Sequence, residues 1–117
     1  MNNSKVRCAL YFRSANPGAE GRSPTEEQMR VVQILNNLDQ KPIQIEFLGG
    51  PRCCVAVYEI EGTQFQAQAA LFAVLERVGE HMRELGLGEQ RSKVPTADGQ
   101  DAFDELFGLK KREKKRS

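Results

Sequence analysis

The sequence predicts an α+β domain: a two-layer β-α-β-β-α sandwich in which a three-stranded mixed sheet carries two helices on one face. Three observations lead there. Apolar residues alternate strictly through residues 5–13. Two capping signatures, at Ser23 and Thr63, open helices. Between them runs a long apolar stretch, Ile43 to Glu61, that reads as a hairpin. A short C-terminal helix and a basic tail complete the chain.

Residues 5–13, KVRCALYFR, place Val6, Cys8, Leu10 and Phe12 on one face of a strand and Arg7, Ala9, Tyr11 and Arg13 on the other. The following SANPGAEGR is a loop, with Pro17 and two glycines permitting sharp turns. In Ser23-Pro24-Thr25-Glu26, Ser23 is the N-cap, Pro24 suits the first helical position and Glu26 completes a capping box. That helix is expected to run to about Asp39. Its buried stripe is Met29, Val32, Leu35 and Leu38, widened by Val31 and Ile34, and Pro42 terminates it. The hairpin turns at Gly49-Gly50-Pro51-Arg52. Its second strand has no polar residue until Glu59, so it is expected in the middle of the sheet. Thr63-Gln64-Phe65-Gln66 starts a long helix to about Leu85, with a seam of Leu71, Leu75, Val78, Met82 and Leu85 that fits packing on the sheet. Gly86 and Gly88 close it.

The expected organisation is an α+β domain over 1–88, a linker over 89–97, a short amphipathic helix over 98–109, and a basic tail over 110–117 too charged to fold alone. A right-handed crossover makes strands one and two parallel. So small a sheet leaves open edges, and an edge invites pairing with a second copy, so a homo-oligomer is expected.

A chain of 117 residues suits one domain. No apolar run approaches the roughly 20 residues needed to span a bilayer. The N-terminus lacks the pattern of a secretory signal, so a cytoplasmic location without membrane contact is expected. Cys8, Cys53 and Cys54 form a poor disulfide framework and read as reduced thiols. With a single histidine, His81, in a solvated stretch, no metal site or cofactor is expected. Glu59 and Glu61 read as solvent-facing. Charge is uneven: residues 1–109 carry eleven Lys/Arg against fifteen Asp/Glu, or −4, whereas residues 110–117 carry six against one, or +5. An acidic body with a basic tail points to a polyanionic or acidic partner for the tail.

Two stretches are candidates for function. The first lies between the first strand and the first helix. Arg13, Ser14, Gly21, Arg22 and Ser23 gather where free N–H groups and the helix dipole favour an anion. The alternative is a plain loop with an ordinary cap. Cys8-Ala9-Leu10-Tyr11-Phe12-Arg13-Ser14, the glycine-bearing loop and Ser23 to Arg30 resemble the opening of serine recombinases, the resolvase/invertase group. The resemblance covers residues 6–30 and implies a catalytic pair, with Ser14 as the nucleophile on a DNA phosphodiester and Arg13 as a phosphate-binding arginine. Ser14 follows Arg13 one residue earlier than the family spacing, and the family's later Asp-Arg-Leu-x-x-Arg segment is not found.

The second candidate is QDAFDELFGLKKREKKR. Gln100, Phe103, Leu106 and Phe107 have the i, i+3, i+6, i+7 layout of an anchor that docks in a protein groove, with spacing similar to sliding-clamp-binding peptides. The alternative is a last helix that folds back to cover a bare sheet face. Lys110, Lys111, Arg112, Lys114, Lys115 and Arg116 are either a solvated tail or a salt-sensitive nucleic-acid contact. The sequence thus points to a small non-catalytic binding or regulatory domain associated with nucleic acid or a nucleic-acid-processing partner. The alternative is a reduced, recombinase-like phosphoryl-transfer enzyme using Ser14.

Overall fold

The alternation in the first strand is realised residue by residue. In the computed structural model, which describes residues 5–14, 24–48 and 53–109, β1 (Lys5–Arg13) buries Val6, Cys8, Leu10 and Phe12 in the main core. After it come α1 (Pro24–Asn36), β2 (Gln44–Phe47), β3 (Cys53–Glu61), α2 (Gln64–Glu84), β4 (Glu89–Lys93) and α3 (Gln100–Leu106).

Among the described residues the sheet has four strands in the order β2-β3-β1-β4, and every neighbouring pair is antiparallel. This corrects the three-stranded mixed sheet expected from sequence. The added strand, β4, lies within the stretch read as a linker and pairs with β1 from Ala9↔Lys93 to Arg13↔Glu89. β1 and β2 do run in the same direction, but β3 sits between them, so no parallel pair forms. This is the split β-α-β arrangement of ferredoxin-like folds. β3 is central, as its two apolar faces require: Cys54, Ala56, Tyr58 and Ile60 join the main core, and Val55 and Val57 face the other way.

Helices α1 and α2 cover one face. The buried stripe of α1 differs from the expected one. Val31 and Leu35 are fully buried, while Met29 is 56% exposed, and the helix ends at Asn36 rather than near Asp39. A short helix that touches the sheet along one line buries the residues on that line and leaves its flanks wet. The Thr63 capping box of α2 is formed in both directions, with the Gln66 N–H donating to Thr63 Oγ1 at 3.2 Å and the Thr63 N–H donating to Gln66 Oε1 at 2.8 Å. At its other end Gly86 takes φ 89°, and the Leu87 and Gly86 N–H groups bond Met82 O and Arg83 O. This Schellman turn drives Leu87 into the core against the helix it closes.

The opposite face is not bare. α3 lies across it, with Phe103 and Phe107 packed on Ala9, Val55 and Val57. The layering is therefore helix pair, sheet, short helix, rather than two layers. The free edges are β2, four residues long, and β4, whose Glu-Gln-Arg-Ser-Lys is charged. Both features work against the edge-paired dimer that an open sheet suggests. The hairpin turn at 49–52 lies outside the described residues, though Leu48 N–H still bonds Cys53 O across its base at 2.8 Å. Among the described residues no helix is long and apolar enough to cross a membrane.

Candidate functional site

The side of the sheet away from α1 and α2 is built from alternate residues of each strand, and it divides into two unlike halves. One half is sealed by α3. Asp104, 2% exposed, is held by Arg7 in a bidentate pair: Nε to Oδ1 at 2.7 Å and Nη2 to Oδ2 at 2.8 Å. Arg7 Nη1 also reaches Glu59 Oε2 at 3.3 Å. The hydrogen bond to Asp104 holds the Arg7 pKa above its ordinary value, against the opposing pull of burial. Because β4 pairs with β1 only from Ala9 onward, the main chain of Arg7 has no strand partner on that side. The Gln100 side chain takes the vacant place: its Oε1 accepts from Arg7 N–H at 3.2 Å and its Nε2 donates to Arg7 O at 3.0 Å. At the far end Gln44 Nε2 donates to Phe107 O at 3.0 Å.

The other half is open. The β1–β4 register sets Tyr11 opposite Arg91, Arg13 opposite Glu89 and Ala9 opposite Lys93. Tyr11, Arg13, Glu89, Arg91, Ser92 and Lys93 line a shallow hollow of about 310 Å³. Arg13 and Glu89 approach to 3.9 Å, but their side chains are 59% and 54% exposed, so the pair binds weakly and leaves the guanidinium free to turn. Burial raises the pKa of the half-buried Tyr11, and Cys53 and Glu46 add to the effect, so its hydroxyl stays neutral. The uncharged polar side chains of β4 are spent on the opposite face. Gln90 Nε2 donates to Gly79 O at 3.0 Å, and Ser92 Oγ accepts from Gln68 at 2.7 Å. What remains on the shelf is an aromatic ring, three cations and one carboxylate, on a body whose overall balance is acidic.

The candidates read from sequence distribute as follows. Arg13 stands on the shelf. Ser14, just past the strand end, is 8% exposed. Gly21, Arg22 and Ser23 lie outside the described residues, as do Lys110, Lys111, Arg112, Lys114, Lys115 and Arg116. Leu109, the last described residue, packs on the small core at whose margin Tyr11 sits. Gln100, Phe103 and Phe107 are engaged within the chain, in the fold-back arrangement, and Leu106 points outward at 72% exposure. A partner groove for this segment would have to compete with the chain's own sheet. Arg91 and Lys93 were missed because they sit in a strand read as a linker. The signal that could have found them is the charge at every second residue in Glu89-Gln90-Arg91-Ser92-Lys93.

Cys8 and Cys54 are buried on the core side, where desolvation pushes both thiols up to about 12. Among the described residues no group of three or more His, Cys, Asp or Glu is placed to hold a metal ion. Comparison of the chain with family models, curated proteins and solved structures gives no match.

Proposed function

We propose that this chain is a small binding domain that associates with nucleic acid, holding the phosphate backbone on the open half of its outer sheet face. The reading rests on one observation: the β1–β4 register gathers Arg13, Arg91 and Lys93 around Tyr11 at a half-open hollow on the outer sheet face. Such a face offers phosphates several cationic donors at fixed spacing. The basic octet that follows Leu109 in sequence supports the same reading, because it carries six further cations. The ferredoxin-like topology carries no weight here, since one fold hosts many activities.

The test is a salt titration of binding to a DNA duplex with three proteins: the full chain, a form ending at Leu109, and the full chain with Arg91→Gln and Lys93→Gln. Binding that weakens steeply with salt and is reduced by both changes is the expected result. No binding by the full chain at low salt removes the reading. A covalent protein–DNA adduct that disappears in Ser14→Ala would instead move the chain to the recombinase-like alternative.

A further inference from the structure

We infer that the polyanion this face selects is single-stranded, with a base laid against the ring of Tyr11 and the flanking phosphates on Arg13, Arg91 and Lys93. The inference rests on the nucleic-acid reading and deepens it by naming the form of nucleic acid. A duplex keeps its bases stacked inside and presents a rigid, convex phosphate surface. A hollow lined by one ring and three cations would touch it over a small area, and an aromatic ring there would have nothing to stack on. A single strand offers both a backbone for cations and exposed base planes for a ring.

The shelf is arranged for that second case. Tyr11 is flanked on its own strand by Arg13, two residues on and therefore on the same face, and Arg91 lies directly across on β4. Lys93 stands one pair further along, opposite Ala9, where α3 closes over the sheet and bounds the shelf. The Tyr11 hydroxyl stays neutral, so the ring brings no charge against the phosphates. The uncharged polar side chains of β4, Gln90 and Ser92, are turned to the helix side and hydrogen-bonded there. The ring of Tyr11 and the charged side chains of Arg13, Arg91 and Lys93 are therefore what the shelf offers to base planes and phosphates.

Fluorescence anisotropy with labelled oligo-dT, oligo-U and a duplex of equal length tests this on the full chain. Tyr11→Leu keeps an apolar side chain at the margin of the small core but removes the ring. It should weaken single-strand binding by about tenfold or more and leave duplex binding unchanged. Tyr11→Phe should restore single-strand binding. A loss in the deoxy arm, the ribo arm or both supports the inference and assigns the sugar. A second readout needs no change at the shelf. The chain has two tyrosines and no tryptophan, so in a Tyr58→Phe background the intrinsic emission reports Tyr11 alone. That emission should be quenched by single strand and unaffected by duplex. Equal affinity for both forms, with Tyr11→Leu silent and no quenching, overturns the single-strand inference and leaves the nucleic-acid reading standing. No binding of either form at low salt overturns both.

Discussion

At the scale of single residues, Arg7 and Asp104 determine how α3 is held. Asp104 is a carboxylate almost without solvent, and a charge in that position persists only with a partner that satisfies it. Removing Arg7 leaves that charge with the neutral Gln100 Nε2 donor, 3.1 Å from Oδ1, and no cation. Arg7→Ala should therefore cost about 3 kcal/mol, the low end for a broken buried pair, because the Arg7 side chain is 27% exposed. Replacing both residues, as Arg7→Met with Asp104→Leu, should recover most of that loss. Urea unfolding of the three proteins checks it, and a double variant as unstable as Arg7→Ala would show that the pair is not what holds the helix. The pair was not legible in the sequence, because residues 97 positions apart carry no local pattern that joins them. The faces of β1 were legible, because a two-residue period needs only local sequence.

The buried thiols give a prediction in pH. Cys8 and Cys54 rise from 9.0 to about 12 on folding, so the folded chain keeps both neutral while unfolded thiols begin to ionise near pH 9. The stability this confers is complete below pH 9 and is lost as pH rises towards 12. The raised pKa of Tyr58 acts in the same direction. The urea midpoint should fall across that window, and Cys8→Ala with Cys54→Ala should flatten the fall. An equally steep decline in the double variant would remove the thiols as its cause.

At the scale of elements, α3 and β4 show what a sequence pattern can and cannot convey. The apolar stripe of α3 is legible in the sequence and favours a helix folded back on its own sheet over one seated in another protein, but it does not say which residues receive it. The decisive partners, Ala9, Val55 and Val57, sit on strand faces that look like ordinary strand interior until the sheet order is known. β4 has no apolar residue at all, so the alternation that marks β1 is absent. Its inward side chains are Gln90 and Ser92, which pay for burial with hydrogen bonds to α2 and its C-terminal turn. An edge strand satisfied by polar contacts leaves no hydrophobic period to detect. The energetic consequence falls on Phe103, which is buried and packs at a tilt of 52° against Phe107, 4.8 Å between ring centres. Phe103→Ala should cost about 3 kcal/mol and expose Ala9, Val55 and Val57 to solvent. Increased binding of a hydrophobic dye alongside the lower urea midpoint would confirm both parts. Unchanged dye binding would mean that α3 stays seated without its anchor.

At the scale of the whole molecule, charge and architecture pull in different directions, and binding tests which one prevails. The body through Leu109 carries −4, so a polyanion approaching at random is repelled. Screening limits that repulsion to about 10 Å at 0.1 M salt, and a patch of opposite sign can still capture phosphate at contact distance. On the open half of the sheet, Arg13, Arg91 and Lys93 supply such a patch, and the octet that follows Leu109 in sequence adds six cations. Each phosphate neutralised on a duplex contributes about −0.9 to the slope of log binding constant against log salt, and on a single strand about −0.7. The six cations of the tail should thus account for up to about five units of slope on a duplex and about four on a single strand. Ending the chain at Leu109 should remove that share of the slope while leaving thermal stability unchanged, since the tail begins beyond Leu109 and the small core on which that residue packs. The residual slope then belongs to the shelf, and it should fall further in Arg91→Gln with Lys93→Gln. A slope indifferent to truncation would place the phosphates on the sheet alone. A thermal midpoint lowered by truncation would give the tail a structural role that its charge does not suggest.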